Sequence, residues 1–171
     1  MNTSFNPLPP GYTHVQHTFE PVFDEHSRIL ILGSFPSVKS REIQFYYGHP
    51  QNRFWKLMAQ LLDVPIPQSI DEKKTMLLTH GLALWDVITS CDIKGSSDSS
   101  IKNAVPADIS RILKAADIQT IIANGGTAFR LYRRYCEPVT GRPAALCPST
   151  SPANAAFSLE RLSECWSKFI I

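Results

Sequence analysis

No apolar run in this chain approaches the roughly 20 residues that a membrane-spanning helix needs, which argues against an integral membrane protein. The first residues lack the basic, then apolar, then small-residue order of a secretory leader, so a reducing cytoplasm is the expected setting. Cysteine is sparse. Cys91, Cys136, Cys147 and Cys165 form no CxxC pair, which disfavours a zinc ribbon or thioredoxin-type site, and nothing in their spacing reads as a disulfide framework. His14 and His17 lie close together but have no third ligand nearby, so no metal is expected. There is no Walker pattern and no G-x-S-x-G elbow, and Gly125-Gly126 alone is a weak dinucleotide signal. Repeats and low-complexity tracts are missing too. An excess of one charge sign is also absent. Seventeen Lys and Arg against fifteen Asp and Glu leave +2, which neither demands nor excludes a polyanionic partner. The one local cluster, Arg130, Arg133, Arg134 and Arg142 against Glu137, reads first as a solvated helix face.

What remains is an ordinary globular composition, 43% apolar and 19% charged, in 171 residues, enough for one domain with its own core. Residues 1–27, rich in Pro, His and Thr, read as an irregular arm laid on a domain of residues 28–171. Short apolar runs at 28–32, 82–88, 118–123 and 143–147 read as strands. Helical patterns fall between and after them, at 52–62, 71–80, 106–116, from 126 to about 136, and 155–169. Residues 92–105, polar and serine-rich, read as a long loop. Strands alternating with helices predict an α/β fold, a three-layer α/β/α sandwich around a four-stranded parallel sheet.

In such a sheet the loops after the strands share one edge, where ligands bind. Two loops there attract notice. The first is Gly33-Ser34-Phe35-Pro36-Ser37, continued by Tyr47-Gly48-His49-Pro50-Gln51-Asn52-Arg53-Phe54-Trp55. The second is Pro148-Ser149-Thr150-Ser151-Pro152-Ala153-Asn154. Rich in hydroxyls, amides, prolines and aromatics, they predict a pocket for a flat polar ligand carrying a backbone. Asn52 reads as an N-cap, or as an amide that places a water or bonds a base edge. Phe54 and Trp55 read as core aromatics. Tyr47, on a loop beside glycine, is freer to stack on a planar ligand, while His49 has several roles open. In the second loop Ser151 or Asn154 reads as a helix cap with Pro152 in the first turn. The same hydroxyls and backbone N–H groups suit phosphate oxygens. Asp86 and Asn103 are further polar residues whose access to the pocket only the fold decides, with a turn role favoured for Asn103.

These paired segments resemble the uracil-DNA glycosylase superfamily, and His49-Pro50-x-Asn52-Arg53-Phe54-Trp55 resembles a stretch of its mismatch-specific uracil/thymine members. Leu84-Trp85-Asp86-Val87 and Asn124-Gly125 extend the likeness over nearly the whole chain. At the third position of the first motif the mismatch-specific enzymes carry asparagine and this chain carries Phe35. That departure, with Tyr-Tyr-Gly-His-Pro-x-Asn downstream, is similar to the branch described as hypoxanthine (deoxyinosine) DNA glycosylases.

The resemblance implies that Asn52 is the catalytic residue. Gly33, Ser34, Phe35, Pro36, Ser37, Tyr47 and His49 would bind the base, with Tyr47 as stacking platform. Pro148, Ser149, Thr150, Ser151, Pro152 and Asn154 would hold the DNA backbone. It implies a monofunctional repair enzyme, without cofactor or metal, acting as a monomer on double-stranded DNA that holds a deaminated base, in the cytoplasm at the nucleoid. With no carboxylate assigned to the site, a dissociative reaction is expected. The alternatives are a G·U mismatch uracil glycosylase, a non-catalytic damaged-base sensor, and a generic nucleotide-binding module.

Overall fold

The computed structural model describes residues 6–170; the start of the predicted arm, residues 1–5, and residue 171 lie outside them. Four parallel strands form the central sheet: β2 (Ile29–Gly33), β3 (Leu82–Asp86), β6 (Thr120–Asn124) and β7 (Ala145–Cys147), in the order β3-β2-β6-β7. Residues 30–33 of β2 and all of β3 are buried, as strands covered on both faces must be, and their near-continuous apolar sequence follows from that. Helices α2 (Phe54–Leu62), α3 (Ile70–Thr79), α5 (Gly126–Leu131) and α7 (Leu159–Ile170) flank the sheet. Phe54 of α2 meets Trp166 of α7 edge-on at 6.4 Å, both without solvent exposure. The α/β fold with a four-stranded parallel sheet is as expected.

The chain departs from the sequence reading around this sheet. The arm is not irregular throughout: β1 (Thr13–Gln16) pairs antiparallel with β4 (Ile88–Ile93), and Val22 bridges to Leu84. Residues 92–105 are not one long loop. The chain turns a corner at Val87 into β4 and returns as β5 (Lys102–Pro106), giving a second sheet of order β1-β4-β5. Pro106 therefore ends a strand instead of opening a helix. It is tolerated because β5 is an edge strand, and α4 is only Ser110–Ala115. The last helix starts at Leu159, not at 155. Its cap is Ser158, whose Oγ accepts the Arg161 N–H at 3.2 Å, so neither Ser151 nor Asn154 caps it.

Short elements complete the chain: α1 (Val38–Ile43), a wider π-helical turn at Tyr132–Cys136, and α6 (Glu137–Thr140). Among the described residues no helix is long and apolar enough to cross a membrane, and no group of three or more His, Cys, Asp and Glu is placed to hold a metal.

Candidate active site

Each central strand delivers a residue to the same edge: Gly33 from β2, Asp86 from β3, Asn124 from β6 and Cys147 from β7. Over that edge lies a cavity of about 850 Å³. The reversal of strand order beside β2 is where such crevices form. All of the expected base-binding residues line it, as do Asn52 and the 148–154 loop. A third wall comes from residues 96–99, at the tip of the β4–β5 hairpin. Arg41 holds that tip, donating to the carbonyl oxygens of Pro36 and Gly95, both at 3.1 Å, and Ser34 Oγ donates to Asp98 at 2.8 Å. Desolvation raises the Asp98 carboxyl above its ordinary value, with the Ser34 hydrogen bond opposing it. Asn103 does not reach the cavity; it donates to Asp92 at 2.7 Å on the second sheet.

Asn52 sits at the centre of a directed chain of hydrogen bonds. Asn124 Nδ2 donates to Thr150 Oγ1 (3.0 Å), and Thr150 Oγ1 donates to Asn52 Oδ1 (2.9 Å). Asn124 Oδ1 in turn accepts the Thr150 N–H at 3.1 Å. Asn52 Oδ1 also accepts the Phe54 N–H at 2.9 Å, opening α2. A backbone N–H only donates, so this atom must be the amide oxygen. Both its lone pairs are engaged, and the Asn52 NH₂ is left as the group offered to the cavity. The N-cap position is Arg53 and not Asn52, which stands one residue ahead and bonds the first helical N–H in an Asx turn; that bond and the expected catalytic role use different ends of one amide.

Thr150, expected among the DNA contacts, is fully buried and holds Asn52 instead. Thr150→Val keeps its shape but leaves Asn124 Nδ2 without its partner and Asn52 Oδ1 with the Phe54 N–H alone. It should lower unfolding free energy by about 1–3 kcal/mol in urea titrations, with Thr150→Ser recovering most of the loss.

The second loop is built stiffly. Ser149 Oγ accepts the Ser151 N–H (3.1 Å), Ser151 Oγ accepts the Ala153 N–H (3.2 Å), and Asn154 Nδ2 donates to the Ser149 carbonyl oxygen (3.0 Å). Trp166 Nε1 donates to the Pro148 carbonyl oxygen at 2.9 Å. Gly125, at φ 98°, passes so close that a methyl there would lie 3.0 Å from Ser149 Cβ, in a backbone region that L side chains avoid. Arg53 threads into the loop and donates to the carbonyl oxygens of Thr150, Ser151, Asn154 and Phe157.

Tyr47 adopts φ 51°, a left-handed conformation that is costly for a tyrosine. One ring face is covered by Phe54, with centroids 4.2 Å apart. Its hydroxyl is buried beside Asn124 and has no partner at hydrogen-bonding geometry among the described residues. Desolvation, reinforced by the Asp86 charge and opposed by the nearby Asn124 side chain, raises its pKa well above the usual phenol range, so it stays neutral. Exposed His49 accepts the Gln51 N–H at its Nδ1 (3.1 Å). The sequence reading missed Asp98, Asn124 and His17, and assigned no carboxylate to the site, whereas Asp86 and Asp98 both line the cavity. The strand end Asn124-Gly125 carried a signal for one of them; the other two come from segments read as loop and arm.

Fold and site together define an α/β protein with a cavity at the carboxyl edge of its central sheet, between two loops. The sequence profile of the family described as "Uracil DNA glycosylase superfamily" matches residues 20–170. A protein of Methanosarcina acetivorans described as hypoxanthine DNA glycosylase is 34% identical over 151 residues, covering 88% of this chain and 95% of its own. One of Methanosarcina barkeri with the same description is 37% identical over 111 residues, 63% of this chain and 69% of its own. A solution NMR structure of a Methanosarcina acetivorans protein, proposed to be a uracil DNA glycosylase, superposes with a TM-score of 0.76 at 34% identity, covering 89% and 94% of the two chains. The chain belongs to the uracil DNA glycosylase superfamily.

Proposed function

We propose that this DNA glycosylase excises hypoxanthine from DNA, hydrolysing the N-glycosidic bond of a deoxyinosine flipped out of the duplex. The observation that carries the reading is the Asn52 amide at the cavity wall, its Oδ1 held by the Phe54 N–H and the Thr150 hydroxyl, which leaves its NH₂ free to donate to a bound base. A base inside the stack keeps its glycosidic bond out of reach, so the nucleotide must first leave the helix. Breaking the bond puts negative charge on the departing base and positive charge on the sugar. A fixed N–H donor aimed at the base lowers that barrier because it needs no reorganisation as the charge develops. The names of the Methanosarcina relatives favour hypoxanthine over uracil.

The 148–154 loop, held rigid from behind, would press on the phosphates beside the flipped nucleotide through backbone N–H groups and the exposed parts of Ser149, Ser151 and Asn154. Among the described residues no lysine lines the cavity, which supports a monofunctional enzyme.

The test is a base-release assay on duplexes carrying one hypoxanthine, uracil or xanthine, followed by alkaline cleavage, for wild type and Asn52→Ala. Hypoxanthine release that Asn52→Ala abolishes, with duplex binding retained, is the expected result. Release of uracil alone would assign the chain to the mismatch-uracil branch. No release from any substrate, with duplex binding intact, would leave a damaged-base sensor.

A further inference from the structure

Asp86 closes β3 opposite Gly33 of β2, at the cavity floor. Its side chain is 5% exposed and pairs through Oδ2 with Nε2 of His17, itself 2% exposed, at 2.9 Å. Because a carboxylate only accepts, His17 Nε2 carries the proton. The His17 ring is wedged among Phe19, Tyr46 and Phe35, with centroids at 4.3, 5.7 and 6.3 Å, and its backbone N–H is tied to the Thr89 carbonyl oxygen. The other carboxylate oxygen, Oδ1, lies directly over Gly33, where a methyl group would collide with it. That same methyl would sit 3.1 Å from the Tyr47 hydroxyl, the buried group that has no partner. Native proteins rarely leave such a group unsatisfied without a use for it. One acceptor and one hydroxyl thus converge above a glycine.

We propose that Asp86, oriented by His17, accepts the ring N–H that deamination creates on a base, while the Tyr47 hydroxyl donates to the adjoining carbonyl oxygen. The inference rests on the glycosylase reading above and deepens it. Converting adenine to hypoxanthine reverses both groups on one edge: the N1 lone pair becomes N1–H, and the 6-amino donor becomes a carbonyl acceptor. A carboxylate repels the first pattern and binds the second, so one atom both selects the lesion and rejects the normal base. Tyr47 then acts through its hydroxyl, in place of the stacking role expected from the sequence; one of its ring faces is already taken. His17 is a positioning residue, and it lies outside the span 20–170 that matches the superfamily. The arm therefore takes part in specificity.

Two readouts on the full chain test this. The first is the ratio of release rates for hypoxanthine and adenine from otherwise identical duplexes. The second is binding of free hypoxanthine, 1-methylhypoxanthine and adenine, by calorimetry, which needs neither turnover nor a variant. Wild type should favour hypoxanthine over both other bases. Asp86→Asn should narrow the hypoxanthine-to-adenine ratio roughly 10- to 100-fold, because the amide can present a donor where the carboxylate cannot. His17→Leu should narrow it as well, and His17→Gln, which keeps an N–H near the Nε2 position, should restore it. Variants that lose rate on both bases in equal proportion would reduce the pair to a structural one and overturn the proposal. So would wild-type binding that does not distinguish the three bases. A chain that releases no base yet binds hypoxanthine over adenine through Asp86 would sustain this inference and remove the glycosylase reading instead.

Discussion

Replacing Asn52 by aspartate should slow hypoxanthine release by about 10²- to 10³-fold, measured at single turnover with enzyme in excess. The argument turns on which end of the amide does what. Oδ1 accepts the Phe54 N–H and the Thr150 hydroxyl, so it opens helix α2 and ties the two loops together. Aspartate keeps that oxygen and both bonds, and the fold should tolerate it. It replaces the NH₂ with a second oxygen that bears negative charge and faces a leaving group that is becoming negative. Stabilisation turns into repulsion at the moment of bond cleavage.

A residue that positions an attacking water by accepting its proton would behave in the opposite sense: there the carboxylate would match or exceed the amide. Asn52→Asp therefore separates two roles that Asn52→Ala, which also removes the helix-opening bond, cannot. Retention of more than a tenth of the wild-type rate would defeat the donor assignment. Binding of an intact duplex should change much less than the rate, because the donor acts on the base after flipping.

Why Asn52 was legible in the sequence and its partners were not follows from how each residue is placed. Asn52 stands in a dense local segment of Tyr, Gly, His, Pro and Asn ahead of an amphipathic helix, and local density is what a sequence displays. Thr150 looked like one more hydroxyl in a phosphate loop. Only the parallel register of β6 and β7, with Asn124 opposite Cys147, brings it between Asn124 and Asn52.

The central strands were readable because burial on both faces writes a continuous apolar run. The second sheet was not. One edge strand, Lys102-Asn103-Ala104-Val105-Pro106, is half-polar and ends in proline, and the opposite edge, β1, lies in a segment with no clear period. Reading 92–105 as loop hid Asp98, and reading 1–27 as an irregular arm hid His17. Antiparallel pairings between segments up to about 80 residues apart bring Asp98 to the cavity and His17 to Asp86 on its floor, a kind of contact that local patterns do not carry.

Arg53→Ala should destabilise the protein by about 3 kcal/mol, a fall in melting temperature of roughly 6–12 °C for a chain of this size. An arginine in a loop beside a proposed DNA surface invites assignment to a phosphate, and the geometry assigns it elsewhere. The guanidinium donates to four carbonyl oxygens of residues 150–157, and the Arg53 backbone N–H bonds the Thr150 carbonyl oxygen at 3.1 Å. These carbonyls belong to a segment without regular structure, ahead of α7, so no helix or strand is available to satisfy them. Removing the guanidinium leaves the Phe157 carbonyl oxygen without a donor and takes a charged donor from those of Thr150, Ser151 and Asn154, which keep only the backbone N–H groups of Arg53, Asn154 and Phe157. Arg53→Lys should recover less than half of the loss, since a single ammonium cannot span the fork that the planar group fills.

Calorimetric melting and the salt dependence of duplex binding, measured on the same variants, decide between staple and phosphate ligand. A phosphate contact contributes close to one unit to the slope of log K against log salt and little to the melting temperature. A staple does the reverse. The expected result is a lower melting temperature, weaker duplex binding as the 148–154 loop loosens, and an unchanged salt slope. A slope that drops by about one unit with melting intact would place Arg53 on the DNA. The second loop would then have to hold its shape through its own Ser149, Ser151 and Asn154 bonds and the Trp166 anchor alone.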